Sequence, residues 1–129
     1  MTRRSEPWGG DVGAATGFFI GLLGAGVLAG AVVLVWADAS AQHTRAAVAA
    51  DLAALAGADT ARGIGEAGDP CAAAARAADG TGAELVSCTV LGGDGASIQV
   101  TVSARRTGGA ASWIGLGRPR ATSWAGPPP

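Results

Sequence analysis

Two cysteines and a single histidine are the residues of this chain best suited to chemistry. Cys71 and Cys88 suit a disulfide or a pair of buried thiols; with no histidine near them they are too few for a structural zinc site. His43 has no second His or Cys close by, so it reads as a solvated or interfacial side chain and not as a ligand or base. Residues 63–68 match G-x-G-x-x-G, with Gly63, Gly65 and Gly68 in the required places. That fingerprint binds a pyrophosphate only between a preceding strand and a following helix. Here an alanine-rich helical stretch precedes it, so residues 63–68 read as a glycine-rich linker. No H-E-x-x-H, Walker A or Ser-His-Asp signature is present. The expectation is a protein without catalytic residues, metal, cofactor or small-molecule substrate.

The chain that must position these residues has 129 of them and a net charge of −1. Such a balance gives no electrostatic case for nucleic acid. All nine basic residues are Arg, while Lys, Asn and Tyr are absent. Abundant Ala and Gly fit a GC-rich coding bias, which weakens any argument from composition alone.

Residues 12–37 carry no charge and are bounded by Asp11 and Asp38. Roughly 20 apolar residues at about 1.5 Å each cross a hydrocarbon core of ~30 Å, so this run spans a bilayer. Arg3 and Arg4 precede it, and the nearest base after it is Arg45. The positive-inside rule therefore puts tail 1–11 in the cytoplasm and the rest outside, on a single-pass membrane protein. Trp8 and Trp36 flank the run as interfacial anchors. An alternative reading is cleavage after Ala41, because Ala39-Ser40-Ala41 forms an A-x-A site. That would release a secreted binding protein or effector. The run exceeds the usual length of a signal-peptide core, which favours the anchor. Within it, Gly13, Gly17, Gly21 and Gly24 fall on an arc of roughly 80° at 100° per residue. Small residues at this spacing admit a second helix in lipid, so self or related subunits are the expected partners.

Residues 38–62 continue the helix, because Ala dominates and no Pro or Gly interrupts before Gly57. Val48, Leu52 and Leu55 form an apolar stripe at i, i+4, i+7, expected to pack on a small domain. That domain is residues 69–126. Asp69-Pro70 signals an N-cap and first helical residue, opening a helix from Cys71 to Asp79. A strand over 84–91 places Val86, Cys88 and Val90 on one face. A second strand alternates Ile98, Val100 and Val102 with polar residues. The 121–125 stretch is a third, edge strand with Pro119 at its start. Residues 111–116, with Trp113 and Ile114, are expected to cover the sheet as a helical turn or loop, and residues 127–129 form a proline tail. The expected class is α+β: a long pilin-like helix followed by a short helix and an antiparallel sheet.

This layout brings the cysteines together. The helix rises about 12 Å from Cys71, and the strand returns about 13 Å to Cys88. Outside the cytoplasm a disulfide follows. It closes a loop of about 18 residues, worth roughly 3 kcal/mol in the chain-entropy model. Arg105, Arg106, Arg118 and Arg120 have no acid among them in sequence. They are a candidate contact patch for an acidic partner or anionic surface, or else a solvated sheet edge.

The combination of tail, membrane helix, Arg45-Ala-Ala-x-Ala-Ala-Asp51-Leu-Ala-Ala-Leu-Ala-Gly57, Asp69-Pro-Cys-Ala-Ala-Ala-Ala-Arg76 and Gly82-Ala-x-Leu-Val-x-Cys88 resembles the actinobacterial TadE-like proteins encoded beside Flp/Tad pilus genes. The resemblance implies a membrane-anchored pilin-like or pseudopilin-like subunit of a Tad-type pilus or secretion apparatus, partnered by other subunits of that apparatus. The chain departs from peptidase-trimmed pilin precursors, which carry Glu five residues after the cleaved Gly. Ala15 and Phe18 stand at that offset from Gly10 and Gly13.

Overall fold

A computed structural model describes residues 11–65, 67–92, 97–105 and 108–127. The tail with Arg3, Arg4 and Trp8 lies outside the described residues, as does Arg106. The elements run α1 (Asp11–Ala61), α2 (Pro70–Gly80), β1 (Ala83–Leu91), β2 (Ser97–Ala104), α3 (Ala110–Trp113) and β3 (Arg120–Ala125). By contacts the chain divides into Met1–Trp36 and Ala37–Pro129.

The first unit contributes the apolar part of α1. Among the described residues it holds the one helix stretch long and apolar enough to cross a membrane, and none of that apolar stretch is buried.

The second unit is a small α+β head. α1 ends inside it on a glycine stop. Gly63 has φ +73°. Its N–H donates to the Thr60 carbonyl at 3.0 Å and the Ile64 N–H to the Asp59 carbonyl at 2.8 Å. This pair of bonds satisfies carbonyls that the last turn leaves free, and only glycine adopts the left-handed conformation without cost. The first glycine of the G-x-G-x-x-G match thus terminates a helix. α2 opens as expected: the Asp69 carboxylate accepts the Ala72 N–H at 3.0 Å, and Pro70 follows at the first helical position.

The three strands form an antiparallel sheet in the order β1-β2-β3. The Ala104 N–H donates to the Pro119 carbonyl and the Arg105 N–H to the Gly82 carbonyl, extending both pairings by one step. Ile98, Val100 and Val102, all on β2, are the largest fully buried side chains. The buried helix residues packed over them are all small: Ala49, Ala50, Ala53, Ala54 and Ala58 of α1, with Ala74 and Ala78 of α2. Three large fully buried side chains among the described residues are a thin core for a domain of this size.

Three expectations are corrected here. Val48, Leu52 and Leu55 do not pack on the domain; they are 51%, 45% and 55% exposed, and the alanines of the same helix take the buried face. The reason is distance. Gly57 lies so near the sheet that a Cβ there would stand 2.5 Å from Ile98 Cδ1 and 3.1 Å from the Pro70 carbonyl oxygen. A face of Val and Leu would hold the sheet away.

The second correction is in β1. The register slips between Leu85 and Ser87, so Leu85 opposes Val102 while Cys88 opposes Val100. This irregularity puts Leu85 against the core and leaves Val86 exposed, because one extra residue in a strand reverses the faces on either side of it. The third is α3: its helical turn forms, yet Trp113 and Ile114 point to solvent instead of covering the sheet.

Candidate assembly surfaces

In the first unit, an added Cβ at Gly13, Gly17, Gly21 or Gly24 meets nothing within 4 Å. The same is true of Gly26 and Gly30, so an open glycine is general along this stretch. What sets the first four apart is their shared arc. Phe18 and Phe19 are both exposed, their rings 6.3 Å apart edge to face. A surface of apolar side chains around a glycine groove suits lipid on most sides and a second helix in the groove.

In the head, α1 has two unlike sides. The alanine side seats the sheet. Beside it, Asp51 fastens the helix to β3: the Ser123 hydroxyl donates to its carboxylate at 2.5 Å. Leu55 and Asp59 line an open groove of about 340 Å³ with Trp124, which is exposed. Val48 and Leu52 lie exposed on the helix that bears Leu55, so an apolar strip reaches from mid-helix to the indole of Trp124.

Cys71 and Cys88 form the expected disulfide, with Cα atoms 5.8 Å apart and a sequence separation of 17. Both lie partly buried against the core, tying the first turn of α2 to the middle of β1.

The arginines are distributed more evenly than their sequence suggests. Arg105 pairs with Asp79 at 2.7 Å and Arg118 with Glu84 at 3.6 Å, both on the surface. Surface pairs of this kind contribute little to stability, about 0–1 kcal/mol. Arg120 is exposed on β3. On the same side of the sheet Ser103 is buried, and its hydroxyl has no hydrogen-bond partner among the described residues. It lies under an open groove of about 680 Å³ lined by Glu84, Val86, Arg118 and Arg120. His43 is exposed, and no cluster of three metal-ligating side chains occurs among the described residues.

Sequence reasoning missed the strip formed by Leu55 with Trp124. Its signal lies in the Val48–Leu52–Leu55 spacing, which by period alone points to the inner face. No protein-family model, curated protein or solved structure matches this chain.

Proposed function

We propose that the protein is a membrane-anchored, pilin-like assembly subunit of a Tad/Flp-type pilus or secretion apparatus, resembling the TadE-like proteins. In this reading the apolar half of α1 holds the chain in the cell membrane with its N-terminus in the cytoplasm. The disulfide-stapled head faces outward, and the protein works by helix packing and not by catalysis. Its partners are other subunits of the apparatus or further copies of itself.

One observation carries the reading. The head seats itself on alanines and leaves Val48, Leu52 and Leu55 exposed on the same helix. A contiguous exposed apolar strip, as distinct from single exposed residues, is what marks a surface that meets another protein or a membrane. An exposed strip on a helix that also carries a glycine arc supports a helix built to meet other helices.

Co-purification from membranes with a C-terminal tag tests this. The expected outcome is a full-length species in the membrane fraction that retains partner subunits, and a Leu52→Asp variant that keeps its disulfide but loses those partners. A soluble species beginning at Gln42 would replace this reading with that of a secreted binding module.

A further inference from the structure

The described residues between β2 and β3, Arg105 and 108–119, gather at one end of the head, and the register fixes which end. At the start of β2, Ile98 meets α1 at Gly57. On β3, Ser123 meets α1 at Asp51. From Ile98 toward Ala104, and from Ser123 back toward Arg120, the sheet therefore runs toward the lower-numbered turns of α1. The connection between these strands reaches further still. Gly109, which precedes α3, lies against Asp38: a Cβ there would stand 2.5 Å and 2.9 Å from the two carboxylate oxygens. Asp38 is the first charged residue after the apolar run. Whatever packs at Asp38 stands where the helix leaves its lipid-compatible stretch.

At that level the head exposes the side chains least suited to water. Trp113 is 91% exposed and Ile114 60%. An indole with a neighbouring aliphatic residue is at home in the headgroup layer, where its ring is shielded and its N–H stays wet. The basic residues share this end. Arg105 follows the last residue of β2, and Arg118 and Arg120 lead into β3. Their acidic neighbours Asp79 and Glu84 sit at the end of α2 and the start of β1, on the same rim. Exposed apolar residues at the same end of the head as guanidinium groups match the chemistry of a phospholipid surface.

We propose that this end of the head rests on the bilayer surface, with Trp113 and Ile114 entering the headgroup layer and Arg120 facing its phosphates. The proposal depends on the membrane-anchor reading, so its test must separate the two. The full chain is placed in nanodiscs of phosphatidylcholine and phosphatidylglycerol, with or without phosphatidylcholine brominated near the head of its acyl chains. One variant keeps Trp113 alone (Trp8→Phe, Trp36→Phe, Trp124→Phe). A second keeps Trp36 alone. Both tryptophans are expected to lose about half or more of their emission to the brominated lipid, with Trp113 blue-shifted. Quenching of Trp36 but not of Trp113 overturns the seat and leaves the anchor. Quenching of neither overturns the anchor reading, and the seat with it. A blue-shifted Trp113 that bromine does not reach is covered by protein and also overturns the seat. If the triple substitution fails to fold, the same quantity is read as the difference in quenching between the native chain and Trp113→Phe, a conservative change at a solvent-exposed position.

Discussion

Gly57 and Gly17 belong to the same helix and differ in what surrounds them. At Gly57 the partner is in the chain: Ile98, Pro70 and Ala74 close around the missing side chain. At Gly17 nothing lies within 4 Å of where a Cβ would be. Both sites lack a side chain, but only one of them is filled by this fold. Glycine in a helix interior costs about 1 kcal/mol relative to alanine. At Gly57 that cost is offset by close approach of the sheet. At Gly17 nothing in the described chain offsets it; the proposed partner helix would.

The comparison breaks most sharply through the staple that holds the filled site. Cys88→Ser is expected to lower the stability of the head by about 3 kcal/mol. A denaturant titration of the full chain in detergent, following the protection of the β2 amides, would read this. Gly57→Leu comes next. Overpacking costs about 1–3 kcal/mol, and the flexible end of Ile98 has little room to yield because Ile98 is fully buried. Exchange of the β2 amides should accelerate accordingly, whereas Gly17→Leu should leave that exchange unchanged and lower helix association in membranes. If Gly17→Leu associates as the native chain does, the glycine arc has no partner. Asp51→Ala removes the acceptor for Ser123 and is expected to cost about 0.5–1 kcal/mol, as an exposed hydrogen bond does. Leu52→Ser should shift stability by less than about 0.5 kcal/mol, since the side chain already faces outward; a larger loss would mean that the strip is part of the core.

Much of this arrangement is legible before any coordinates. The N-cap at Asp69, the alternation of Ile98, Val100 and Val102, and the pairing of Cys71 with Cys88 follow from local rules, and each appears where those rules put it. The face of α1 that meets the sheet does not follow from such rules. Period alone selects Val48, Leu52 and Leu55, because it ranks residues by hydrophobicity. Packing ranks them by how near the sheet must come, and a sheet carrying Ile98 beside Gly57 accepts only alanine. The register slip at Val86 is hidden for a related reason. Leu85 and Val86 are both apolar, and only the pairing with Val102 decides which turns inward. For Trp113, side-chain type alone points to burial, yet an indole is equally suited to a boundary between apolar and wet surroundings.

The slip in β1 has a consequence for how copies can meet. An outer strand with a regular edge is a template on which another chain can add a strand, and repetition of that step gives a sheet that grows without limit. Here β1 is an outer strand whose regular ladder is broken at Val86. The other outer strand, β3, is six residues long and follows a proline flanked by Arg118 and Arg120. Both sides of the sheet are therefore poor seeds. A head whose sheet edges resist fusing with another sheet leaves the helix faces as the surfaces that the proposed assembly would use.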